Sequence, residues 1–178
     1  MSIKKLKLTE LGRVDVDTYK QQEKLPICVI LDNLRSGLNV GAFFRTSDAL
    51  GLERIILTGI TPVPPHKEIH KSAIGATLSV DFSYDSEIVS AIKSLKESGY
   101  YIIGIEQTNT STPLHSAEWP NQPIAIVFGN EVEGISEEVL PHLDASIEIS
   151  QFGTKHSLNV AVCGGIVLWE ASRHQRQR

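Results

Sequence analysis

Short continuous runs of aliphatic residues alternate with segments of helical period along most of this chain. Pro26-Ile-Cys-Val-Ile-Leu31 is apolar throughout and rich in β-branched residues, the pattern of a strand buried on both faces. Ile124-Ala-Ile-Val-Phe128 reads the same way, Arg54-Ile-Ile-Leu57 and Tyr101-Ile-Ile-Gly-Ile105 read as further strands, and residues 145–149 as the last strand. Leu78-Ser-Val-Asp-Phe82 alternates, as a half-exposed strand would. Between the strands lie helical segments. Ala42, Phe43, Ala49 and Leu50 fall at helical spacing, with Asn39 as the expected cap and Gly51 as the left-handed stop. Residues 66–74 predict a short helix. Asp85 or Ser86 precedes an amphipathic helix with Ile88, Ile92 and Leu95 on one face and Gly99 at its end. Residues 157–173 predict the last helix, and residues 1–25 are polar and aperiodic, an arm or a short helix ahead of the core.

This order predicts an α/β fold. Its sheet is mostly parallel with helices on both faces, because strands apolar on both sides must be covered twice. A length of 178 residues suits one domain. Ligands of such sheets bind beyond the carboxyl ends of the strands, so the loops there are where chemistry is sought. Three of these loops are unusual in composition. Asp32-Asn-Leu-Arg-Ser-Gly37-Leu-Asn39 leads into the helix that carries Arg45. Gly129-Asn-Glu-Val-Glu-Gly134-Ile-Ser136 brackets a tight segment with two glycines, and Ser150-Gln-Phe-Gly153-Thr-Lys-His156 runs into Ser157-Leu-Asn159 at a helix start. Each has a plain reading: glycines make turns, Asn39 and Ser157 are ordinary cap residues, and an arginine six residues into a helix is usually a surface residue. Asn159 stands apart. It precedes Val160-Ala-Val-Cys-Gly-Gly-Ile-Val-Leu168, a helix apolar nearly all round, so polar groups at its mouth should meet a ligand or a partner.

Composition narrows the function classes. The chain is 41% hydrophobic and 21% charged, the balance of a globular protein, and no apolar run approaches the roughly 20 residues of a membrane span. The first residues lack the apolar stretch of an export signal, which predicts a cytoplasmic protein. Cys28 and Cys163 are far apart in apolar segments, so buried thiols are expected rather than a disulfide or a zinc site. A net charge of −4 gives nucleic-acid binding no help, yet the start around Lys4, Lys5 and Lys7 and the tail around Arg173, Arg176 and Arg178 are basic. His66 and His70 stand four apart on a predicted helix but have no third metal ligand in view, and read as part of a solvated basic face. Gly37-Leu-Asn-Val-Gly41 lacks the spacing of a dinucleotide fingerprint, and no phosphate loop of the Gly-Lys-Ser/Thr kind occurs.

Taken together, the three loops resemble a known family. Asn39-Val-Gly-Ala-Phe-Phe-Arg45-Thr with Gly51, Ile126-Val-Phe-Gly-Asn-Glu131-Val-Glu-Gly134-Ile-Ser, and Ile147-Glu-Ile-Ser150 through Ser157-Leu-Asn159-Val resemble motifs one, two and three of the SpoU/TrmH family, in family order and over roughly residues 26–173. The resemblance implies a domain at 26–178 with a deep C-terminal trefoil knot, a topology that general rules of chain connection would exclude. It further implies S-adenosylmethionine as cofactor, a homodimer, and methylation of a ribose 2′-hydroxyl in tRNA or rRNA, with no membrane or DNA partner. By position, Gly129, Ile149 and Leu158 match the family's cofactor contacts, with Glu106 and Gln107 as a further contact region. Asn39, Arg45, Glu131, Ser157 and Asn159 match its polar catalytic set. Ser150 stands where the family often has proline, and residues 1–25 correspond to no recognised RNA-binding module. The alternative within the fold is a silent RNA-binding relative, against which the intact Asn39, Arg45 and Glu131 speak. A guanidinium stays protonated at ordinary pH, so the expected role of Arg45 is electrostatic: held by Glu131 and Asn39, it would grip the adjacent phosphate and stabilise charge developing on the 2′-oxygen.

Overall fold

Seven parallel strands form the middle layer of the protein, whose computed structural model describes residues 3–177. They are β1 (Leu25–Asp32), β2 (Leu52–Thr58), β3 (Asp81–Asp85), β4 (Tyr101–Ile105), β5 (Thr112–Pro113), β6 (Ile124–Phe128) and β7 (Ala145–Glu148), in the sheet order β3-β2-β1-β6-β4-β7-β5. The pleat sends alternate side chains to opposite faces. Ile27, Val29 and Leu31 of β1 meet α2 (Gly37–Leu50), α3 (Lys67–Ala73) and α5 (Val160–Gln175) through Phe43, Phe44, Ile69, Val167 and Leu168. Cys28 and Ile30 turn the other way and meet Ile88, Ala91, Ile92 and Leu95 of α4 (Ile88–Glu97). The unbroken apolar run of β1 is thus explained: residues 27–31 are wholly buried, each large side chain contributing about 1.5–3 kcal/mol. On the first face, Gly164 of α5 lets that helix close on α2, since a Cβ there would lie 2.3 Å from the Phe43 ring.

Strands 101–105 and 124–128 fall where the apolar runs place them, and Gly51 ends α2 at φ 63. Other boundaries differ. The cap of α2 is Ser36, whose hydroxyl accepts from the Asn39 backbone N–H at 3.3 Å, so Asn39 lies inside the first turn with its side chain free for other partners. Neither Asp85 nor Ser86 caps α4. Its cap position is Glu87, whose backbone N–H the Asp85 carboxylate binds at 2.9 Å. The third strand begins at Asp81 rather than Leu78, because residues 76–78 form a 3-10 turn that leaves Leu78 65% exposed. The last helix starts at Val160, with Asn159 as its cap and Ser157 outside it. β5 is two residues long and gives no periodic signal.

Ahead of the sheet, α1 (Val16–Gln21) is capped by Asp15, which accepts from the Thr18 N–H at 2.9 Å, and buries none of its own residues. The arm is tied to the body by the Tyr19 hydroxyl, which donates to the Asp48 carbonyl at 2.9 Å. No described helix is long and apolar enough to cross a membrane.

Candidate active site

The loops after β1, β6 and β7 converge at the carboxyl ends of the central strands, where α2 and α5 begin. The loop after β6 is folded back on itself. Asn130 and Gly134 exchange backbone hydrogen bonds at 2.8 and 3.0 Å, and the Asn130 side chain accepts from Val132 and Glu133. Two buried or half-buried carboxylates from other strands anchor its far end. Glu106, directly after β4, accepts from the Ile135 N–H at 2.9 Å, and Asp32, at the end of β1, accepts from the Ser136 N–H at 2.7 Å. The Asn130 amide also donates to the Asn33 carbonyl at 2.6 Å, locking this loop to the first one.

So held, the loop presents Glu131 to the start of α2. Its carboxylate accepts from the Arg35 N–H at 3.0 Å, the Ser36 N–H at 3.3 Å and the Asn39 side-chain amide at 2.9 Å. Asn39 passes the connection on, accepting from the Asn159 amide at 3.2 Å, while the Asn159 oxygen accepts from the Ala161 and Val162 N–H groups at 3.0 and 3.2 Å. Glu131, Asn39 and Asn159 are therefore one chain of hydrogen bonds joining the starts of two helices. Partial burial alone would raise the Glu131 pKa, but the Arg35 N–H, the Asn39 amide and the Ser36 N–H outweigh it and hold the carboxyl below its ordinary 4.5. A depressed carboxylate stabilises the fold above its unfolded pKa and loses that contribution as pH falls through the folded one. Thermal unfolding of the protein and its Glu131→Gln variant should accordingly converge as pH drops from about 6 to about 3, and a constant gap would remove this role.

Beside this chain of bonds opens a cavity of about 310 Å³ lined by Glu106, Gln107, Gly129, Glu131, Ile149, Ser157 and Leu158 among others. Seven of the ten residues singled out in the sequence thus share one hollow, and Asn39 and Asn159 join it through Glu131. Larger hollows lie elsewhere, but this one is lined by the loops after β4, β6 and β7, and Glu131 ties its rim to the loop after β1. Ile149, Leu158 and Val160 supply apolar wall. Gln107 and Gln151 both donate to the His156 carbonyl, at 3.2 and 3.3 Å, fixing the loop ahead of α5. Cys163, expected to be simply buried, is half-buried and lines the cavity, and burial with the neighbouring Glu106 pushes its thiol up to about 11. At neutral pH it is an uncharged wall, not a nucleophile.

Arg45 departs from expectation. It is not held by Glu131 or Asn39, whose bonds are taken as described, and among the described residues it has no hydrogen bond or ion pair. Helix geometry gives the reason. Six residues along α2 carry it about 9 Å from Asn39 and roughly 120° around the axis, so it opens into a different hollow with Arg13, Asp48 and Arg176. Sequence reading also missed Asp32, Asn33 and Asn130, which position the loops. Polar residues directly after an apolar strand are their visible sign.

A wholly parallel α/β sheet with a polar hollow over its strand ends, shaped by loops that hold helix starts, defines a ligand-binding enzyme-type domain. The sequence profile of the SpoU rRNA Methylase family matches residues 26–169, and the chain belongs to that family. It is 31% identical over 164 residues to the 23S rRNA (guanosine-2'-O-)-methyltransferase RlmB of Neisseria meningitidis serogroup B, a match covering 89% of this chain and 63% of that protein. Among solved structures, the TrmH/SpoU tRNA modifying enzyme of A. aeolicus is 26% identical with a TM-score of 0.79, covering 90% of this chain and 80% of that one. The AdoMet-bound rRNA methyltransferase of Sinorhizobium meliloti is 28% identical with a TM-score of 0.78, covering 89% of this chain and 59% of that one. The chain spans less than two thirds of the length of the curated relatives it matches first.

Proposed function

We propose that the protein transfers a methyl group from S-adenosylmethionine to a ribose 2′-hydroxyl of tRNA or rRNA. The observation that carries the reading is the Glu131–Asn39–Asn159 chain of hydrogen bonds at the mouth of the strand-end cavity, built from the three segments that resemble the family's motifs. The cavity fits the cofactor in chemistry. It offers apolar wall at Ile149, Leu158 and Val160 together with the carboxylates of Glu106, Glu131 and Glu133, suited to a molecule with an adenine ring, sugar hydroxyls and positive charge. When bound, that cofactor supplies an electrophilic methyl on a sulfonium. The residues of the chain then have separate duties. Gly129, Ile149, Leu158, Glu106 and Gln107 would hold the cofactor, and Ser157 and Asn159 would orient the ribose at the rim. Methyl transfer is an in-line displacement, so holding donor and acceptor collinear is a large share of the work. Arg45 would bind the flanking phosphate and stabilise negative charge on the 2′-oxygen as the hydroxyl proton passes to solvent.

Two further elements belong to this reading. The segment from β7 into α5 would thread the family's trefoil knot, supported by the close seating of residues 149–160 around the β6 loop. A homodimer would cover α5, where Val162, Ile166 and Trp169 form an exposed apolar row with Phe152 beside it; Trp169 is 62% and Phe152 98% exposed. A second copy on that face would offer a route by which Arg45 of one chain serves the cofactor hollow of the other. Incubation with cofactor labelled in its methyl group and total RNA should put label into alkali-resistant dinucleotides, the signature of a blocked 2′-hydroxyl. Label absent from RNA, or present only in alkali-labile products, would overturn the assignment.

A further inference from the structure

We propose that the surface made by the loop between β2 and α3, by α3 itself and by β3 seats a nucleotide flanking the methylated one in the same RNA strand. This rests on the reading of the chain as an RNA 2′-O-methyltransferase and deepens it. The loop is built out of the catalytic floor. Ile60 donates its N–H to the Asn33 side chain at 3.0 Å, and the Thr61 hydroxyl accepts from the Leu34 N–H at 3.0 Å while donating to the Leu31 carbonyl at 3.1 Å. At its other end His66 lies against the start of α2, so close that a Cβ on Gly37 would be 2.8 Å from Nδ1 of the His66 ring. Gly37 is two residues from Asn39, so the face begins at the mouth of the candidate site.

The groove there measures about 590 Å³ and is lined by Pro64, Pro65, His66, Lys67, His70 and Phe82 among others, within the roughly 300–1,000 Å³ of sites for small molecules. Its composition suits a nucleotide on three counts. Pro65, His66 and Phe82 present exposed rings, and Phe82 remains 38% exposed although its far side packs edge-on against Phe44 at 5.4 Å. Lys67 lines the groove, and Lys71 follows one turn later on the same side of α3. Both lysines are exposed and neither is engaged with another described residue. In a chain of net charge −4, α3 carries two lysines and one histidine against the single acid Glu68. Rings beside unpaired cations at the edge of a site are the combination that single-stranded RNA uses, stacking its bases and neutralising its phosphates.

The test uses the whole protein and a fluorescent single-stranded RNA of about twelve nucleotides, followed by anisotropy over a salt series. Lys67→Glu/Lys71→Glu should weaken binding about tenfold or more and flatten the salt dependence by about 1.4 in slope, roughly 0.7 for each phosphate no longer neutralised. Phe82→Leu, which keeps an apolar neighbour for Phe44, should weaken binding about fivefold without changing that slope. Both variants should bind S-adenosylmethionine and melt like the parent. Unchanged RNA affinity in both variants overturns the proposal while leaving the methyltransferase reading intact, whereas a parent protein that binds neither RNA nor cofactor fails that broader reading. A charge-reversed variant whose sedimentation shows that copies no longer associate also overturns it, since the face would then be a protein interface.

Discussion

Replacing Gly129 by alanine is expected to abolish cofactor binding and to lower the melting temperature by about 2–12 °C, because the loop after β6 leaves no room for one more carbon. A Cβ at that position would sit 2.1 Å from the Gly134 carbonyl carbon, 2.2 Å from the Ile135 nitrogen and 2.4 Å from the Gly134 oxygen. All three are backbone atoms, so no rotamer change relieves the overlap. The loop cannot simply swing away either. Ile135 and Ser136 are held by the Glu106 and Asp32 carboxylates, and moving them would strand Asp32, which is wholly buried. Displacement of the loop also carries Glu131 off the start of α2, so the cavity loses a wall and its rim together. Calorimetry with S-adenosylmethionine and a thermal scan decide the matter. An alanine variant that melts and binds like the parent would mean the loop is looser than its hydrogen bonds imply.

Arg45→Ala is expected to reduce methyl transfer by roughly 10²–10³-fold, as removal of a group that stabilises developing charge does, while leaving stability and cofactor affinity unchanged. The contrast with Gly129 follows from surroundings. Arg45 is exposed and unpaired among the described residues, and the hollow proposed for the cofactor does not include it, so no bond within the described fold depends on its side chain. Arg45→Lys should also lose most activity, since the planar fork that grips a phosphate at two points becomes a point charge. Single-turnover rates with saturating cofactor would show this. Near-parental turnover in the lysine variant would strip Arg45 of the phosphate-gripping role and leave only its charge.

How much of this was legible beforehand varied with the kind of signal. Runs such as Ile124–Phe128 are apolar because both faces of a central parallel strand are covered, and that constraint marks the sequence residue by residue. Edge elements carry no such mark. β3 has four exposed residues out of five, so alternation near Leu78 was a false guide, and the two residues of β5 hold no period at all. Helix starts misled in a specific way. Ser36, Asn39, Ser157 and Asn159 are all good capping types, and which one caps depends on where the neighbouring loop lies. Ser36 caps α2 while the Asn39 side chain reaches Glu131, an interaction across 92 residues that no local window contains. The partner of Arg45 was misjudged for the same reason: motif membership groups residues by chemistry, whereas helical pitch decides which of them face one another.

The bonds that tie the loops of the hollow to one another join residues remote along the chain. Asp32 reaches Ser136 across 104 positions, and Asn159 reaches Asn39 across 120. Closing such loops costs entropy before any interaction repays it, which places this architecture among slow-folding topologies. During synthesis the first half of the chain emerges with its carboxylate at Asp32 and its helix start at Ser36 still lacking their counterparts. The hollow is therefore completed only with the final helix, and a nascent chain released early would carry Glu131 and Asn39 without the Asn159 amide that closes their chain of hydrogen bonds.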